Sequence, residues 1–393
     1  MRVAYVCADH GVPVYGMKGC SLHVQEVMRA LVSLGAVVEL FAATPSGEAA
    51  PDLRDIPIHK IRNSNVTERA AREQADLIAN ADIVTELQRY GPFGLVYERY
   101  SLWSMAGMQY ANQLGIPGVL EVNAPLIVEQ QKYRGLIDAT SAILVAKACF
   151  RAARVLVAVS DGVANYLEDF PEARGKIHVI PNGVNPDRFP DKLARKNKLD
   201  SPFTIGFVGT LKPWHGLDNL MDAFATLHKT GSDARLLIVG DGPEAENLQA
   251  RITHEGLEDA VEMTGAVSPE AIPGLLARMD VGTAPYPDDP AFYFSPLKVY
   301  EYMAAGLPVI ASRIGQLDGL VVHEQTGLLT SPGDTDALAR ALSSLETDRN
   351  LGERLGRAAR QSAIELHSWN KRVQAILQLA VPGTFPQHIR GTG

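Results

Sequence analysis

SPLKVYEYMAAGLPVIAS, residues 295–312, is the stretch of sequence that decides the fold. It predicts a short loop that leads into a helix. The helix should end at Gly306, because glycine adopts the positive φ of a helix terminus without strain. Pro308 prevents the helix from resuming, and the apolar residues that follow it predict a buried strand. A helix followed directly by a buried strand is typical of an α/β protein.

The first turns of this predicted helix carry Lys298 and Glu301, three residues apart. A lysine beside the free N–H groups of a helix start suits a diphosphate. A carboxylate one turn further along the same face suits two vicinal hydroxyls, such as those of a ribose. A sugar nucleotide contains both groups. A surface helix with a Lys/Glu pair is the alternative, and these residues alone do not separate the two interpretations.

Length and charge limit the classes of protein that remain. The chain has 393 residues, which predicts two or three domains rather than one core. Its formal net charge of −8 argues against wholesale binding to nucleic acid or to an anionic membrane. A local basic groove and a peripheral membrane contact both remain compatible with that charge.

The cysteines and the apolar segments predict a cytoplasmic protein. Cys7, Cys20 and Cys149 are too few and too scattered for a disulfide framework or a zinc site, and an odd count fits a reducing compartment. We therefore expect no bound metal. The opening residues have too short an apolar run for a signal peptide and predict a first strand. Charged residues interrupt the longest apolar stretch, 142–159, so we expect no membrane span.

Strands alternate with helices along the first half of the chain. The pattern predicts helices at 21–34 and 140–153. It predicts strands at 3–7, 37–42, 95–97, 118–122, 155–158 and 178–180. Strands joined by helices imply a parallel sheet that is covered on both faces.

The same scheme restarts in the second half. Turn-forming residues at 181–190 and a polar run at 191–200 precede a new strand at 203–208, a loop at 209–216, a helix at 217–228 and a strand at 236–239. We expect a domain boundary near 183–200. The predicted domains are 1–185 and 200–369, each Rossmann-like and doubly wound. Such domains, facing a central cleft, would place their binding loops at that cleft.

Two loops that follow predicted strands are suited to anions. In the loop 209–216, Lys212 and His215 lie just before a helix, where an anion could be held. The alternative is that Lys212 is solvated and His215 caps the turn. In the earlier loop, Gly16 and Gly19 let the backbone approach a ligand closely. His23 follows in the first helical turn and is as a rule a structural partner there.

Polar residues also follow two strands of the first half. Glu98 and Arg99 end one predicted strand, and Asn123 follows another. Open α/β sheets bind ligands at the carboxyl ends of their strands, so these residues are candidates for substrate contacts. An ion pair made by Glu98 or Arg99 is the alternative.

Several catalytic motifs are missing from the sequence. The G-x-G-x-x-G pattern follows neither opening strand, which argues against a nicotinamide enzyme. The sequence has no G-x-S-x-G elbow, P-loop or H-E-x-x-H motif. Hydrolase, P-loop kinase and zinc-protease functions therefore lose support.

Taken together, the motifs resemble those of the retaining sugar-nucleotide glycosyltransferases of the GT-B fold, family four. The resemblance covers nearly the whole chain. It rests on GMKGCSLHV (16–24), VSDG (159–162), VIPNGVN (179–185), FVGTLK (207–212), VGDGP (239–243) and residues 295–312. The segments YERY (97–100) and EVNAP (121–125) resemble a subset found in bacterial polysaccharide and natural-product gene clusters.

The resemblance implies that the nucleotide lies on the C-terminal domain. Glu301 would hold the ribose hydroxyls, the chain at Ser295, Leu297 and Lys298 would bind the diphosphate, and main chain around Gly265 would meet the base. The other implied donor contacts are Gly16, Gly19, Gly209, His215 and Val267. The implied acceptor-side residues are His23, Glu98 and Arg99 on the N-terminal domain, to which a last helix at 370–385 would return.

The sequence departs from the family pattern in three respects. Thr210 and His215 stand where the family often has arginine and lysine, so Lys212 is expected to take over part of the phosphate charge. Tyr293 stands where the family commonly has the first of two glutamates, with Asp288 and Asp289 nearby. Asn123 occupies the place of a histidine near the donor sugar, and an amide cannot act as an acid or base near neutral pH.

The expected function is retaining transfer of a sugar from a nucleoside diphosphate sugar to an acceptor hydroxyl that the sequence does not identify. A uridine diphosphate sugar is favoured and a guanosine one is the alternative. Lys212, Lys298 and Asn123 are the expected catalytic residues, and no cofactor or metal is required. A sugar-nucleotide 2-epimerase of the same fold and a nucleotide-binding protein without catalysis are the rival interpretations.

Overall fold

The structure is a computed structural model that describes residues 1–61, 66–189 and 201–383. The chain divides into two compact units. The first runs from Met1 to Asn182 and also includes the segment that starts at Trp369, while the second is Gly183–Ser368. We predicted a domain boundary near 183–200, and residues 190–200 of that region lie outside the described residues.

The first unit is a seven-stranded sheet with helices between its strands. Its strands are β1 (Arg2–Cys7), β2 (Val37–Ala42), β3 (Ile58–Lys60), β4 (Leu95–Arg99), β5 (Gly118–Val122), β6 (Val155–Ala158) and β7 (Ile177–Val179). Its helices are α1 (Gly19–Ser33), α2 (Arg69–Tyr90), α3 (Ala106–Gln113), α4 (Leu126–Glu129), a π-helical turn (Gln130–Arg134), α5 (Ala139–Ala152), α6 (Asp161–Glu168) and the final helix of the chain (Trp369–Ala380).

All strand pairs in this sheet are parallel, in the order β3-β2-β1-β4-β5-β6-β7. The order reverses direction between β1 and β4, and open α/β sheets bind ligands beside such a reversal. The final helix packs against α1, and the Trp369 ring lies 4.9 Å from the His23 ring. That helix ends at Ala380 rather than near 385, because Pro382 cannot continue it.

The second unit is a six-stranded parallel sheet in the order β10-β9-β8-β11-β12-β13. Its strands are β8 (Thr204–Val208), β9 (Arg235–Val239), β10 (Val261–Met263), β11 (Val281–Ala284), β12 (Val309–Ser312) and β13 (Gly327–Thr330). Its helices are α7 (Leu217–Lys229), α8 (Ala245–Glu255), α9 (Ile272–Leu276), α10 (Leu297–Ala304), α11 (Leu317–Leu320), α12 (Thr335–Thr347) and α13 (Arg349–Leu366). Here the order reverses between β8 and β11.

The stretch 295–312 folds as predicted. Helix α10 ends just before Gly306, which has a φ of 69°. The N–H groups of Gly306 and Leu307 donate to the carbonyls of Met303 and Tyr302 at 2.9 and 3.0 Å, which is a Schellman ending. Strand β12 follows and is buried along its whole length. The predicted α/β class with two doubly wound parallel sheets is therefore confirmed.

The predicted strands at 37–42, 118–122 and 155–158 match β2, β5 and β6, but several elements were not predicted. Helix α2 buries only Glu73, Asn80, Ile83 and Leu87, so its apolar face is too sparse to recognise. Strand β11 has glycine and threonine at its centre, which weakens its strand pattern. Strands β3 and β10 have only three residues each.

The described helices were also compared with the requirements of a membrane span. None of them combines the necessary length with sufficient apolar character.

Candidate functional site

Helix α10 begins at the carboxyl edge of the second sheet. Its N-cap is Pro296, and no side chain among the described residues caps the helix there. The N–H groups of the first turn therefore lack the side-chain oxygen that capping residues provide. Lys298 is the second residue of the helix, and Ser295 and Leu297 flank Pro296. The first turn consequently combines a lysine with the positive end of a helix dipole.

Lys298 is buried rather than exposed on a helix surface. Its relative exposure is 8%, and its Nζ has no hydrogen-bond partner among the described residues. The Nζ lies 3.9 Å from the centre of the Phe207 ring and 5.5 Å from that of Tyr286. Burial lowers the pKa of Lys298 to about 7. The alternative of a surface Lys/Glu pair is therefore wrong.

A glycine backbone, that of Gly209, lies beside this lysine. A Cβ added to Gly209 would lie 3.1 Å from the Lys298 Nζ, and the φ of Gly209 is 143°. A Cβ on Gly240 would lie only 2.0 Å from the carbonyl oxygen of Gly209. The Gly240 N–H donates to the carbonyl of Gly265 at 3.1 Å. The loops after β8, β9 and β10 thus meet at one edge of the sheet, which brings Gly209 and Gly265 into a single backbone cluster.

Glu301 lies one turn after Lys298 on α10 and is half-buried. Its Oε1 is 3.6 Å from an NH1 atom of Arg188, and Arg188 also donates to the carbonyl of Pro269 at 3.0 Å. Arg188 thereby connects the carboxylate to the loop after β10, in which Val267 packs against the core. Sequence reasoning did not give Arg188 a role, although it lies in a turn-rich segment at the start of the second unit.

His215 contributes no positive charge here. Its Nδ1 lies 2.6 Å from the carbonyl oxygen of Thr210, so Nδ1–H donates and the Nε2 atom carries a lone pair. Burial, together with the nearby Lys298 and Lys212, lowers the pKa of His215 to about 3, although the hydrogen bond to Thr210 opposes the shift. His215 is therefore a neutral ring, and its contact with the donor stays a prediction. Lys212 lies 5.6 Å from the centre of the Trp214 ring.

The segment around Tyr293 is aromatic rather than acidic. The rings of Tyr293 and Phe294 are 4.4 Å apart, and Phe292 packs edge-on against Tyr286 at 5.0 Å. The Asp289 carboxylate accepts the N–H of Ala291 at 2.9 Å and so supports the turn. Asp288, by contrast, is exposed.

Glu98 is enclosed within the first unit, and its prediction as an acceptor contact is corrected for that reason. Glu98 is fully buried, and its oxygens accept hydrogen bonds from the Ser104 hydroxyl and from the N–H of Met108 at 3.1 Å. These contacts hold the start of α3 against β4. Burial raises the pKa of Glu98 to about 7, although both hydrogen bonds oppose that shift.

The other two acceptor-side candidates belong to one buried chain of contacts. His23 Nε2 lies 2.9 Å from Glu121 Oε1, and its Nδ1 lies 3.3 Å from Arg99 NH1. Arginine can only donate, so Nδ1 accepts from Arg99 and Nε2–H donates to Glu121. Burial lowers the pKa of His23 well below its usual range, and Arg99 adds to this effect.

Glu121 is the member of this chain that sequence reasoning missed. It lies in a buried strand, and a carboxylate within an otherwise apolar strand is the pattern that could have revealed it. Burial raises the pKa of Glu121 to about 7, although Arg99 opposes the rise. The Asn123 side chain lies beside it and donates to the Glu121 carbonyl at 3.4 Å.

The first glycine loop is tied to α1. The Gln25 side chain donates to the carbonyls of Val14 and Gly16 at 2.8 and 3.1 Å. Gly16 is tightly packed, since an added Cβ would lie 2.8 Å from Pro13. Gly19 is the first residue of α1.

Groups that could hold a metal ion were also sought. Within residues 1–61, 66–189 and 201–383, no three histidine, cysteine, aspartate or glutamate side chains cluster in a way that could do so.

Two family models match the chain and together span most of it. The model described as "Glycosyltransferase Family 4" matches residues 17–188, and the one described as "Glycosyl transferases group 1" matches residues 189–362.

Two curated proteins share about 30% sequence identity with this chain over half or more of its length. A 2-deoxystreptamine glucosyltransferase from Streptomyces kanamyceticus is 28% identical over 74% of this chain and 78% of its own length. A GDP-mannose-dependent alpha-(1-6)-phosphatidylinositol monomannoside mannosyltransferase from Mycobacterium tuberculosis is 30% identical over 55% of this chain. The match spans 61% of that relative.

Solved structures support the fold. The sucrose-phosphate synthase of Thermosynechococcus elongatus superimposes with a TM-score of 0.74 at 22% identity, covering 96% of this chain and 98% of its own. The Anabaena protein HepE, in complex with UDP and glucose, gives a TM-score of 0.72 at 22% identity with the same coverage. The GT-B class is thus confirmed.

Proposed function

The chain belongs to glycosyltransferase family 4, the group 1 glycosyltransferases, and from this premise we propose that it transfers a sugar from a nucleoside diphosphate sugar to an acceptor hydroxyl with retention of anomeric configuration. The donor occupies the second unit, Gly183–Ser368, and the acceptor is bound mainly by the first. A uridine diphosphate sugar is the preferred donor and a guanosine diphosphate sugar the alternative.

The observation that carries this proposal is the buried amine of Lys298 at an uncapped helix start. Its Nζ has no hydrogen-bond partner among the described residues. Leaving a buried amine without a partner is unfavourable unless a ligand supplies one. The backbone of Gly209 lies close beside the amine, because a Cβ at this position would be only 3.1 Å from the Nζ. A diphosphate satisfies the amine, the free N–H groups and the helix dipole together.

Glu301 lies where it would accept the ribose hydroxyls in this arrangement. It is one turn beyond Lys298 on the same helix. Its Oε1 lies 3.6 Å from an NH1 atom of Arg188, which positions the carboxylate beside the loop after β10. The segment around Gly265, with its φ of 67°, would meet the base through main-chain atoms.

The reaction follows from the charges that develop. The bond between the anomeric carbon and the diphosphate oxygen breaks, and its electron pair leaves with the diphosphate. The acceptor oxygen bonds to the same face of the anomeric carbon, and the departing phosphate oxygen takes the acceptor proton. Lys298, Lys212 and the start of α10 stabilise the growing negative charge on the diphosphate. Asn123 serves as a hydrogen-bonding group for the sugar rather than as an acid or base.

The names of the relatives support a hydroxyl acceptor but span two chemical classes. One relative is named for an aminocyclitol acceptor and the other for a phosphatidylinositol glycolipid. We assign acceptor binding to the first unit, at the carboxyl edge where Arg99 and His23 meet. The product then belongs to glycan, glycolipid or natural-product biosynthesis.

Replacing Glu301 with alanine tests the donor site. We expect Glu301→Ala to weaken binding of UDP or GDP by about 10- to 100-fold, since the ribose loses hydrogen bonds to a charged acceptor worth about 1.5–3 kcal/mol. Titration calorimetry measures the dissociation constant. Glu353→Ala, at an exposed glutamate of α13, is the matched control and should leave affinity unchanged. Equal affinity in wild type and Glu301→Ala would remove Glu301 from the site.

Turnover separates this function from its rivals. The protein is incubated with UDP-glucose or GDP-mannose, with and without a panel of hydroxyl acceptors, and the products are identified by mass spectrometry and NMR. A transferase releases nucleoside diphosphate and a new α-glycoside only when acceptor is present. An epimerase would convert the donor without acceptor, and a protein without catalysis would leave every donor unchanged.

A further inference from the structure

Among the described residues, no carboxylate pairs with the Lys298 amine. The Nζ is buried and unbonded among the described residues, and the ring faces of Phe207 and Tyr286 are its near neighbours. An aromatic face attracts an ammonium ion, but this attraction replaces only part of the hydration that burial removes. An isolated buried amine therefore favours its neutral form.

The titratable groups on each neighbouring element do not reverse this conclusion. Lys212 and His215, from the segment after β8, supply a like charge and a neutral ring. Tyr286, after β11, is buried, and burial raises its pKa above the usual range, so it is a neutral phenol. On α10 itself, the Tyr302 hydroxyl accepts the N–H of Val208. Glu301, the nearest carboxylate along that helix, is held by Arg188.

We propose that Lys298 is a neutral amine in the empty protein and becomes an ammonium ion by taking up a proton when a nucleoside diphosphate binds. This inference rests on the proposed function, because it assigns the diphosphate to the start of α10. The incoming negative charge supplies the partner that the empty site lacks, and that partner favours the charged form of the lysine. The lowered pKa of Lys298, about 7, agrees with this geometry.

Proton uptake on binding determines how the affinity for the nucleoside diphosphate changes with pH. The bound state holds one more proton than the free state at any pH between the free and the bound pKa of Lys298. The dissociation constant for the diphosphate should therefore rise by about tenfold for each pH unit above about 7. The terminal phosphate of the nucleotide loses its last proton near pH 6, so its own ionisation is complete in that range.

Calorimetry with UDP and GDP as probes measures the proton directly. Titrations at pH 8.5 in buffers of different ionisation enthalpy give the number of protons bound per nucleotide. We expect about one proton for wild type. Lys298→Met should bind weakly with no proton uptake, and Lys298→Arg, with a permanent charge, should bind without uptake. Lys229→Met, at an exposed lysine of α7, is the matched control and should behave as wild type.

His215→Asn identifies the group that takes the proton. If the histidine were protonated instead, this variant would lose the uptake while Lys298→Met kept it, and the proposal would be overturned. Nucleotide binding without uptake in wild type would also overturn it while leaving the proposed function intact. If neither UDP nor GDP bound at any pH, the proposed function itself would fail.

A measurement on the empty protein tests the protonation state of Lys298 directly. In protein labelled with ¹³C at lysine Cε, the Lys298 resonance, assigned by its loss in Lys298→Met or by its shift with nucleotide, should titrate near neutral pH. Addition of UDP should move that titration to higher pH. A Lys298 resonance that titrates in the usual range near pH 10 in the empty protein would refute the neutral amine.

Discussion

The two units bury charged groups in opposite ways. In the first, Glu121, His23 and Arg99 form a chain in which each member has a partner inside the protein. In the second, Lys298 is buried with no hydrogen-bond partner among the described residues. His23 and Arg99 are thus paired inside the protein, and Glu121 is paired through one oxygen although its Oε2 has no hydrogen-bond partner among the described residues. Because a buried amine without any partner is unfavourable, Lys298 is the group for which we propose a ligand as the partner.

The comparison predicts different costs for removing each group. Removing a member of a completed chain leaves its neighbours unsatisfied, so stability should fall. Removing an amine that has no partner leaves no other group unsatisfied, so the protein should keep its stability and lose its function. Variants in the two units test this contrast.

The largest expected effect is on turnover by Lys298→Met. We expect the rate with the best donor to fall by about 100- to 1000-fold, because a charge that stabilises the leaving diphosphate is lost. The free energy of unfolding should be equal to or above that of wild type, as measured by urea denaturation. A variant that is destabilised and retains normal turnover would make Lys298 a structural residue and break the contrast.

The next effect concerns stability in the first unit. Glu121→Leu should lower the free energy of unfolding by about 2–3 kcal/mol, since the His23 N–H loses its buried acceptor. Glu121→Gln keeps an oxygen for His23 and should lose less. Urea denaturation of both variants gives the difference. Equal losses would mean that the hydrogen bond to His23 contributes nothing beyond packing.

The smallest expected effect is an opposite dependence of the two units on pH. The pKa of Glu98 is raised to about 7 and that of Glu121 likewise, so the folded state binds protons that the unfolded chain has lost. Their contribution to stability is complete below about pH 4.5 and is lost as the pH rises to about 7. The pKa of Lys298 is lowered, so its contribution is complete above about pH 10.5 and is lost as the pH falls to about 7.

Two variants separate the contributions of the carboxyl groups and of Lys298 to the pH dependence of stability. Each group changes the free energy of unfolding by at most about 1.4 kcal/mol per pH unit. Relative to wild type, Glu98→Gln should gain stability as the pH rises from about 5 to 7. Lys298→Met should lose its relative advantage as the pH rises from about 7 to 9. Urea denaturation across this range measures both trends. Parallel trends in the two variants would show that the two units do not differ in this way.

Local patterns allowed the α/β class and the course of α10 to be predicted. The helix ending at Gly306 follows from chain-local chemistry, because the Schellman bonds join residues within one turn. The burial of Lys298 could not be predicted in the same way. Its neighbours Phe207 and Tyr286 come from β8 and from the segment after β11, so the environment exists only after the sheet has formed.

Glu98 shows the reverse error. A carboxylate at the carboxyl end of a strand is in the right place for a ligand, and the sequence offers no reason to exclude it. The helix start that follows it supplies a hydroxyl and an N–H group, which occupy both oxygens. Glu121 was overlooked because its partner His23 is 98 residues away in sequence. In each case the deciding contact comes from tertiary packing.

The pairing of Val184 with Ser368 has a consequence for the architecture of the chain. The Val184 N–H donates to the carbonyl of His367 at 2.9 Å, so the two ends of the second unit lie side by side. In sequence, the second unit is an insertion between Asn182 and Trp369 of the first, and its first and last residues are neighbours. We expect the segment 183–368 to be excisable as one cassette with adjacent termini, and a few residues of linker to suffice for rejoining Asn182 to Trp369.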